Sequence, residues 1–132
     1  MNKYISTNEK IFIAGGNGLA GKAICKMLKK SGYGESINGG SILTPSRREL
    51  DLSNSEAVKY WFDLNKPTVV VVAAGKVGGI LANSTQPADF LLENIKIQTN
   101  VIETAWRSGT KRLLFLGSSC IYPKFSQQPI KE

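Results

Sequence analysis

The sequence predicts an α/β fold, a parallel sheet with helices on both faces. Two observations carry this. Four short apolar runs alternate with three helix-length amphipathic stretches, an order that implies parallel strands joined by crossovers. The run at residues 68–74 holds four consecutive valines, which suits a strand buried on both faces. The length, 132 residues, supports one domain, residues 1–132, with one core.

The elements follow in order. Residues 10–14 (Lys-Ile-Phe-Ile-Ala) form a short strand that ends at glycine. A helix over 19–30 places Ala20, Ile24, Met27 and Leu28 on one face. Residues 32–40 are a polar, glycine-rich loop, and 41–44 a second strand stopped by Pro45. Ser53 and Glu56 stand at capping-box spacing before a helix over 54–65, which Pro67 ends. The valine strand comes next. Pro87, a favoured first-turn residue, opens a long helix to about 108 with Leu91, Ile95, Ile102 and Ala105 or Trp106 facing inward. Residues 111–117 form the fourth strand. Right-handed crossovers favour the strand order 3-2-1-4, the first half of a doubly wound Rossmann-type sheet. The fourth strand is then an exposed edge, open to pairing with another chain.

Composition narrows the function. With 42% hydrophobic and 20% charged residues the chain reads as a soluble globular protein. No apolar stretch is long enough to cross a bilayer, and residues 1–9 lack the layout of a secretory signal. There is no histidine, and the two cysteines, Cys25 and Cys120, lie far apart, so neither a zinc site nor a disulfide framework is expected. A cytoplasmic location follows as the expectation. The net charge of +7 is spread over features such as Lys22, Lys26, Lys29 and Lys30, which share one helix with no interleaved aromatics. That pattern is a solvated face, and neither nucleic acid nor membrane is expected as a partner.

The turn after the first strand carries the chemistry. It reads Gly15-x-x-Gly18-x-x-Gly21, with Asn17 and Leu19 between. One glycine serves the tight turn, one lets the backbone approach a pyrophosphate, and one packs helix on strand. The helix that follows presents free N–H groups and a partial positive charge to phosphates. A nicotinamide dinucleotide is the ligand this turn predicts. Its type is read after the second strand, where NAD sites place a carboxylate for the ribose 2′-hydroxyl and NADP sites a cation for the 2′-phosphate. Here Arg47 and Arg48 precede the first acid, Glu49, so NADP is favoured. Asp51 and Leu52 suit the adenine edge.

Three later segments add a family resemblance: Ala73-Ala74-Gly75-Lys76-Val77-Gly78-Gly79-Ile80, then Asn83 with Pro87-Ala88-Asp89-Phe90, then residues 114–123 (Leu-Phe-Leu-Gly-Ser-Ser-Cys-Ile-Tyr-Pro). With them the chain resembles, from about residue 10 to 132, the GDP-L-fucose synthases. These are extended short-chain dehydrogenase/reductases that epimerise a GDP-4-keto-6-deoxy sugar and reduce its 4-keto group with NADPH. The resemblance implies that Ser118 hydrogen-bonds the keto oxygen and that Cys120 is an acid or base in epimerisation. It implies that Arg47 reads the 2′-phosphate and that Lys76 to Gly79 border cofactor and sugar. Ala73, Ala74 and Gly75 complete the expected cofactor set.

Physical chemistry allows those roles. A hydroxyl just beyond the end of a parallel strand can stabilise charge on a keto oxygen, and a thiol of lowered pKa can move a proton beside a carbonyl. Read without the resemblance, Cys120 is a small buried hydrophobe, as Cys25 is on its helix. The chain departs from the family pattern. It has Asn17 where many members carry arginine, no tyrosine has a lysine four positions on, and the family's later histidine and substrate-binding C-terminal domain are absent. It is therefore expected to be a cofactor-binding portion, inactive alone, that homodimerises or joins a complementing C-terminal half to take its GDP-sugar. Another NADP-dependent nucleotide-sugar epimerase or dehydratase, or a non-catalytic NADP-binding module, are the other readings.

Overall fold

The computed structural model describes residues 5–118, 121–123 and 125–131. Strand β1 (Lys10–Ala14) leads through the glycine turn into helix α1 (Leu19–Lys30), and a 3-10 turn at Ser36–Asn38 precedes β2 (Ser41–Leu43). Helix α2 (Ser55–Asn65), strand β3 (Val69–Val72), helices α3 (Ile80–Thr85) and α4 (Pro87–Arg107) and strand β4 (Arg112–Phe115) complete the order. Every strand pair is parallel. The expected class is observed; α3 is an addition, hidden in sequence because its six residues, Ile-Leu-Ala-Asn-Ser-Thr, are too few for a period.

The strand order is β2-β1-β3-β4, which corrects the expected 3-2-1-4. Burial gives the reason. The expected order would leave the four valines on an edge, yet Val69 to Val72 are all buried, with Val70 fully so. Strand β3 meets that demand only between two strands, β1 on one side and β4 on the other. The edge next to β1 goes to β2, three residues long and only partly buried. No further strand intervenes between β2 and α2, so the α2 crossover returns the chain to the free side of β1. Strand β4 forms the other edge, with all four residues exposed, as expected.

Alternation along β1 and β3 builds two cores. Phe12, Ala14, Val70 and Val72 point to one face, where Leu50, Val58, Phe62, Val101 and Ala105 from α2, α4 and the loop before them cover them. Phe12, Trp61 and Phe62 pack ring on ring there, with the Phe12–Trp61 centroids 4.5 Å apart. Ile11, Ile13, Val69 and Val71 point to the other face, under Ile24, Cys25 and Leu28 of α1. Burying side chains of this size contributes roughly 1.5–3 kcal/mol each relative to exposure.

Three local expectations are corrected. Helix α1 turns Gly21, Ile24, Cys25 and Leu28 inward, while Ala20 and Met27 are exposed, because Gly21 must seat on the glycine turn. Helix α2 is capped by Asn54, whose Oδ1 accepts from the Ala57 N–H at 3.1 Å, and not by Ser53. Ser53 is already engaged, its hydroxyl donating to Asp51 at 2.7 Å. Helix α4 buries Phe90, Ile97, Val101, Thr104 and Ala105, whereas Leu91, Ile95, Ile102 and Trp106 face out. The inward stripe is disguised in sequence by Asn94, a polar residue at one of its positions.

Candidate functional site

Strands β2 and β3 lie on opposite sides of β1, so the backbone diverges at the carboxyl ends of β1 and β3. That divergence opens a cleft of about 220 Å³, where open parallel sheets bind ligands. Its floor is Phe12, Ala14 and Gly15; its walls include Asn17, Arg47, Asp51 and Leu52 on one side and Ala74, Gly75, Lys76, Glu93 and Ile97 on the other.

The glycine turn is shaped by contacts that exclude any side chain. Gly15 has φ +82°, and a Cβ there would stand 2.6 Å from the Ala73 carbonyl oxygen. A Cβ on Gly21 would run into the Gly15 carbonyl and come within 2.7 Å of Gly16 Cα. Helix α1 can therefore sit on the turn only with glycine at 21. Its N-cap, Gly18, offers no side-chain cap, and no acidic residue occupies the first turn. The first N–H groups of α1 are left for an anion or water.

Helix α4 braces the opposite wall. Lys76 N–H donates to Asn94 Oδ1 at 2.7 Å, and Asn94 Nδ2 donates to the carbonyls of Lys76 and Phe90, each at 2.9 Å. The segment after β3 thus hangs on one amide. Further along α4, Asn100 donates to the Leu52 carbonyl at 2.9 Å and holds the other wall. The motif residue Asn83 donates to the carbonyls of Gly78 and Gly79, which shapes the loop leading into α3.

Charges in the cleft are organised around Glu93. Its carboxylate takes Lys76 Nζ at 3.1 Å and an Arg47 guanidinium nitrogen at 3.0 Å. The hydrogen bond from Lys76, with the charges of Lys76 and Arg47, holds Glu93 below the usual carboxylate range against partial desolvation. Lys76 also stands 5.2 Å from the Phe90 ring centre. Asp51 is held low by the hydroxyl and then the N–H of Ser53. Glu49 is held low by the Ser46 N–H, which it accepts at 2.7 Å, and does not line the cleft.

Of the expected cofactor residues, Gly15, Asn17, Arg47, Asp51, Leu52, Ala74, Gly75 and Lys76 are brought together around this cleft. Gly18, Leu19 and Gly21 belong to the turn and the start of α1 beside it, and Ala73 packs on Gly15. Arg48, expected to pair with Arg47 there, is exposed and does not line the cleft. Ser118 lies past the end of β4, its carbonyl accepting from Ile121, and is not part of the cleft. Cys120 lies outside the described residues. Among the described residues no group of His, Cys, Asp and Glu could hold a metal ion, and no helix is long and apolar enough to cross a membrane.

Glu93 and Asn94 are the residues sequence reasoning missed. Their partners lie 46 and 18 positions away, so no local spacing signals them. An asparagine breaking an otherwise apolar stripe at 90, 94, 97, 101 and 105 is the one trace they leave.

The chain is similar to known proteins. A family model described as the NAD dependent epimerase/dehydratase family matches residues 11–132. GDP-L-fucose synthase 1 of Arabidopsis thaliana is 50% identical over 125 residues, which make up 95% of this chain and 37% of that protein. GDP-L-fucose synthase of Sinorhizobium fredii (strain NBRC 101917 / NGR234) is 44% identical over 132 residues, all of this chain and 40% of that one. Among solved structures, MlghC, a GDP-mannoheptose C4 reductase from Campylobacter jejuni with NADP bound, matches with a TM-score of 0.86 at 39% identity. That match covers 96% of this chain and 38% of the other. The chain thus spans 37% and 40% of the length of the two synthases.

Proposed function

The chain belongs to the NAD dependent epimerase/dehydratase family, and from that premise we propose that it is the NADPH-binding part of a GDP-L-fucose synthase. The carrying observation is the cleft itself: a glycine turn with uncapped helix N–H groups at one end and Arg47 at the other. The α1 N-terminus takes the pyrophosphate, Asp51 and Leu52 border the adenine, and Arg47 takes the 2′-phosphate. The acid that would repel that phosphate, Glu49, is turned onto the Ser46 N–H and away from the cleft. Both named relatives are GDP-L-fucose synthases, and the solved neighbour carries NADP.

Bound NADPH supplies the hydride for a 4-keto group on the sugar. The chain's own part is to hold the cofactor rigidly, through Gly15 and Gly21 below it and the Asn94 brace beside it. Ser118, one position past Gly117 at the carboxyl end of β4, donates a hydrogen bond to the keto oxygen in this reading, and Cys120 moves a proton at the neighbouring carbons. The substrate is a GDP-4-keto-6-deoxy sugar, and a further chain segment or subunit completes its site, docking along the exposed edge of β4. Cytoplasmic residence and a homodimer belong to the same reading.

Calorimetric titration of the chain with NADPH and NADH tests it. NADPH is expected to bind tighter by about tenfold or more, the scale of a charge-assisted hydrogen bond to phosphate, and Arg47→Ala is expected to erase the difference. Equal affinities for the two cofactors, or no binding of either, would overturn the reading.

A further inference from the structure

Beside the main cleft lies a second hollow of about 260 Å³, lined by Arg47, Ser53, Lys76, Asp89, Leu92, Glu93 and Lys96. Arg47, Lys76 and Glu93 are common to both hollows and form the wall between them. Three cations, Arg47, Lys76 and Lys96, face this second hollow against two carboxylates, Asp89 and Glu93, so it carries a small positive excess. Glu93 stands in it with its two carboxylate oxygens taken up by Arg47 at 3.0 Å and Lys76 at 3.1 Å.

We propose that Glu93 is a specificity-determining residue, a built-in carboxylate that competes with the cofactor's 2′-phosphate for Arg47 and so holds down the preference for NADPH over NADH. This rests on the cofactor reading above. The argument is one of like charges. Arg47 is largely exposed, 77% at its side chain, and free to swing to a ligand, whereas Glu93 is 23% exposed and anchored by Lys76 on its own side of the cleft. When Arg47 leaves for a 2′-phosphate, Glu93 loses one partner and remains beside a new dianion. NADH, with a 2′-hydroxyl, meets no such repulsion and can donate to the same carboxylate. A carboxylate usually enters such sites from the end of the second strand; here it arrives from α4, on the opposite wall.

The test is titration of NADPH and NADH into the wild-type chain, Glu93→Gln and Arg47→Ala, with circular dichroism to confirm folding. Glu93→Gln keeps the shape and removes the charge. It is expected to tighten NADPH about two- to fivefold, the scale of one partly exposed charge pair, and to leave NADH unchanged or weaker. An unchanged or lower NADPH preference in Glu93→Gln, with Arg47→Ala still erasing the preference, overturns this inference alone. If Arg47→Ala leaves the wild-type preference intact, the cofactor reading beneath it falls. Should Glu93→Gln not fold, Glu93→Ala decides by the same ratio.

Discussion

Replacing Asn94 by alanine tests how the cofactor wall is held. The side chain makes three hydrogen bonds, one from the Lys76 N–H at 2.7 Å and two to the carbonyls of Lys76 and Phe90 at 2.9 Å. The Phe90 carbonyl keeps its helical partner in the variant, since it lies one turn before residue 94 in α4. The Lys76 N–H and carbonyl keep nothing. Leaving two partly buried backbone groups without partners costs about 2–3 kcal/mol, which for a domain of this size lowers Tm by roughly 8–12 °C. Asn94→Asp sharpens the test. It preserves the shape and the bond from the Lys76 N–H, but turns an acceptor onto the Lys76 carbonyl, so it is expected to melt well below wild type too. Thermal unfolding followed by circular dichroism, alongside NADPH titration, reads both effects. The reasoning is refuted if Asn94→Ala melts within about 2 °C of wild type and binds NADPH unchanged.

Gly21→Ala places a Cβ against the backbone of Gly15 and Gly16, an overpacking cost of about 1–3 kcal/mol offset by about 1 kcal/mol of helix propensity. NADPH affinity, read by the same titration, is expected to fall more clearly than Tm. Glu9, held low by the Thr68 hydroxyl and then by Lys111, together with Glu49, Asp51 and Glu93, has a depressed folded pKa. Their contribution is complete above the unfolded carboxylate range of about pH 4 and is lost as pH falls through the lower folded values. Tm is accordingly expected to be level down to about pH 5 and to drop below it; a flat profile to pH 3 would contradict the assignment.

The elements that carry their own signal were legible in the sequence. Strand β1 at Lys10–Ala14 and the start of α4 at Pro87 fall where the apolar run and the first-turn proline put them. The glycine turn is legible by its spacing, and the seat of Gly21 on Gly15 and Gly16 is local, although Gly15 is also required by Ala73, far along the chain. The strand order was not legible, because right-handed crossovers alone leave open which side of β1 the valine strand takes. Its burial on both faces was written in residues 69–72, and read as a demand for two neighbours it favours the observed order. The inward face of α4 was misread for a related reason: Asn94 serves a partner 18 positions back, so a rule that counts apolar residues steps around it. Arg47 was legible as a cation after β2, but Glu93, which neutralises it, is 46 positions away and leaves no pattern.

The central placement of β3 also sets the schedule on which the chain can be made. Strand β1 is apolar on both faces, and its second partner begins beyond Thr68, which is 58 residues downstream of Lys10. At ribosomal speeds of about 5–20 residues per second, that stretch takes roughly 3–12 s to emerge. During it, Ile11 to Ala14 gain at most the short β2 as a strand neighbour, and no hairpin can fill the gap because the missing partner is parallel. The ion pair of Glu9 with Lys111 closes a span of 102 residues and waits longer still. A nascent chain with this topology spends those seconds with an open, two-faced apolar strand, an exposure set by the same order that buries the valines in the finished protein.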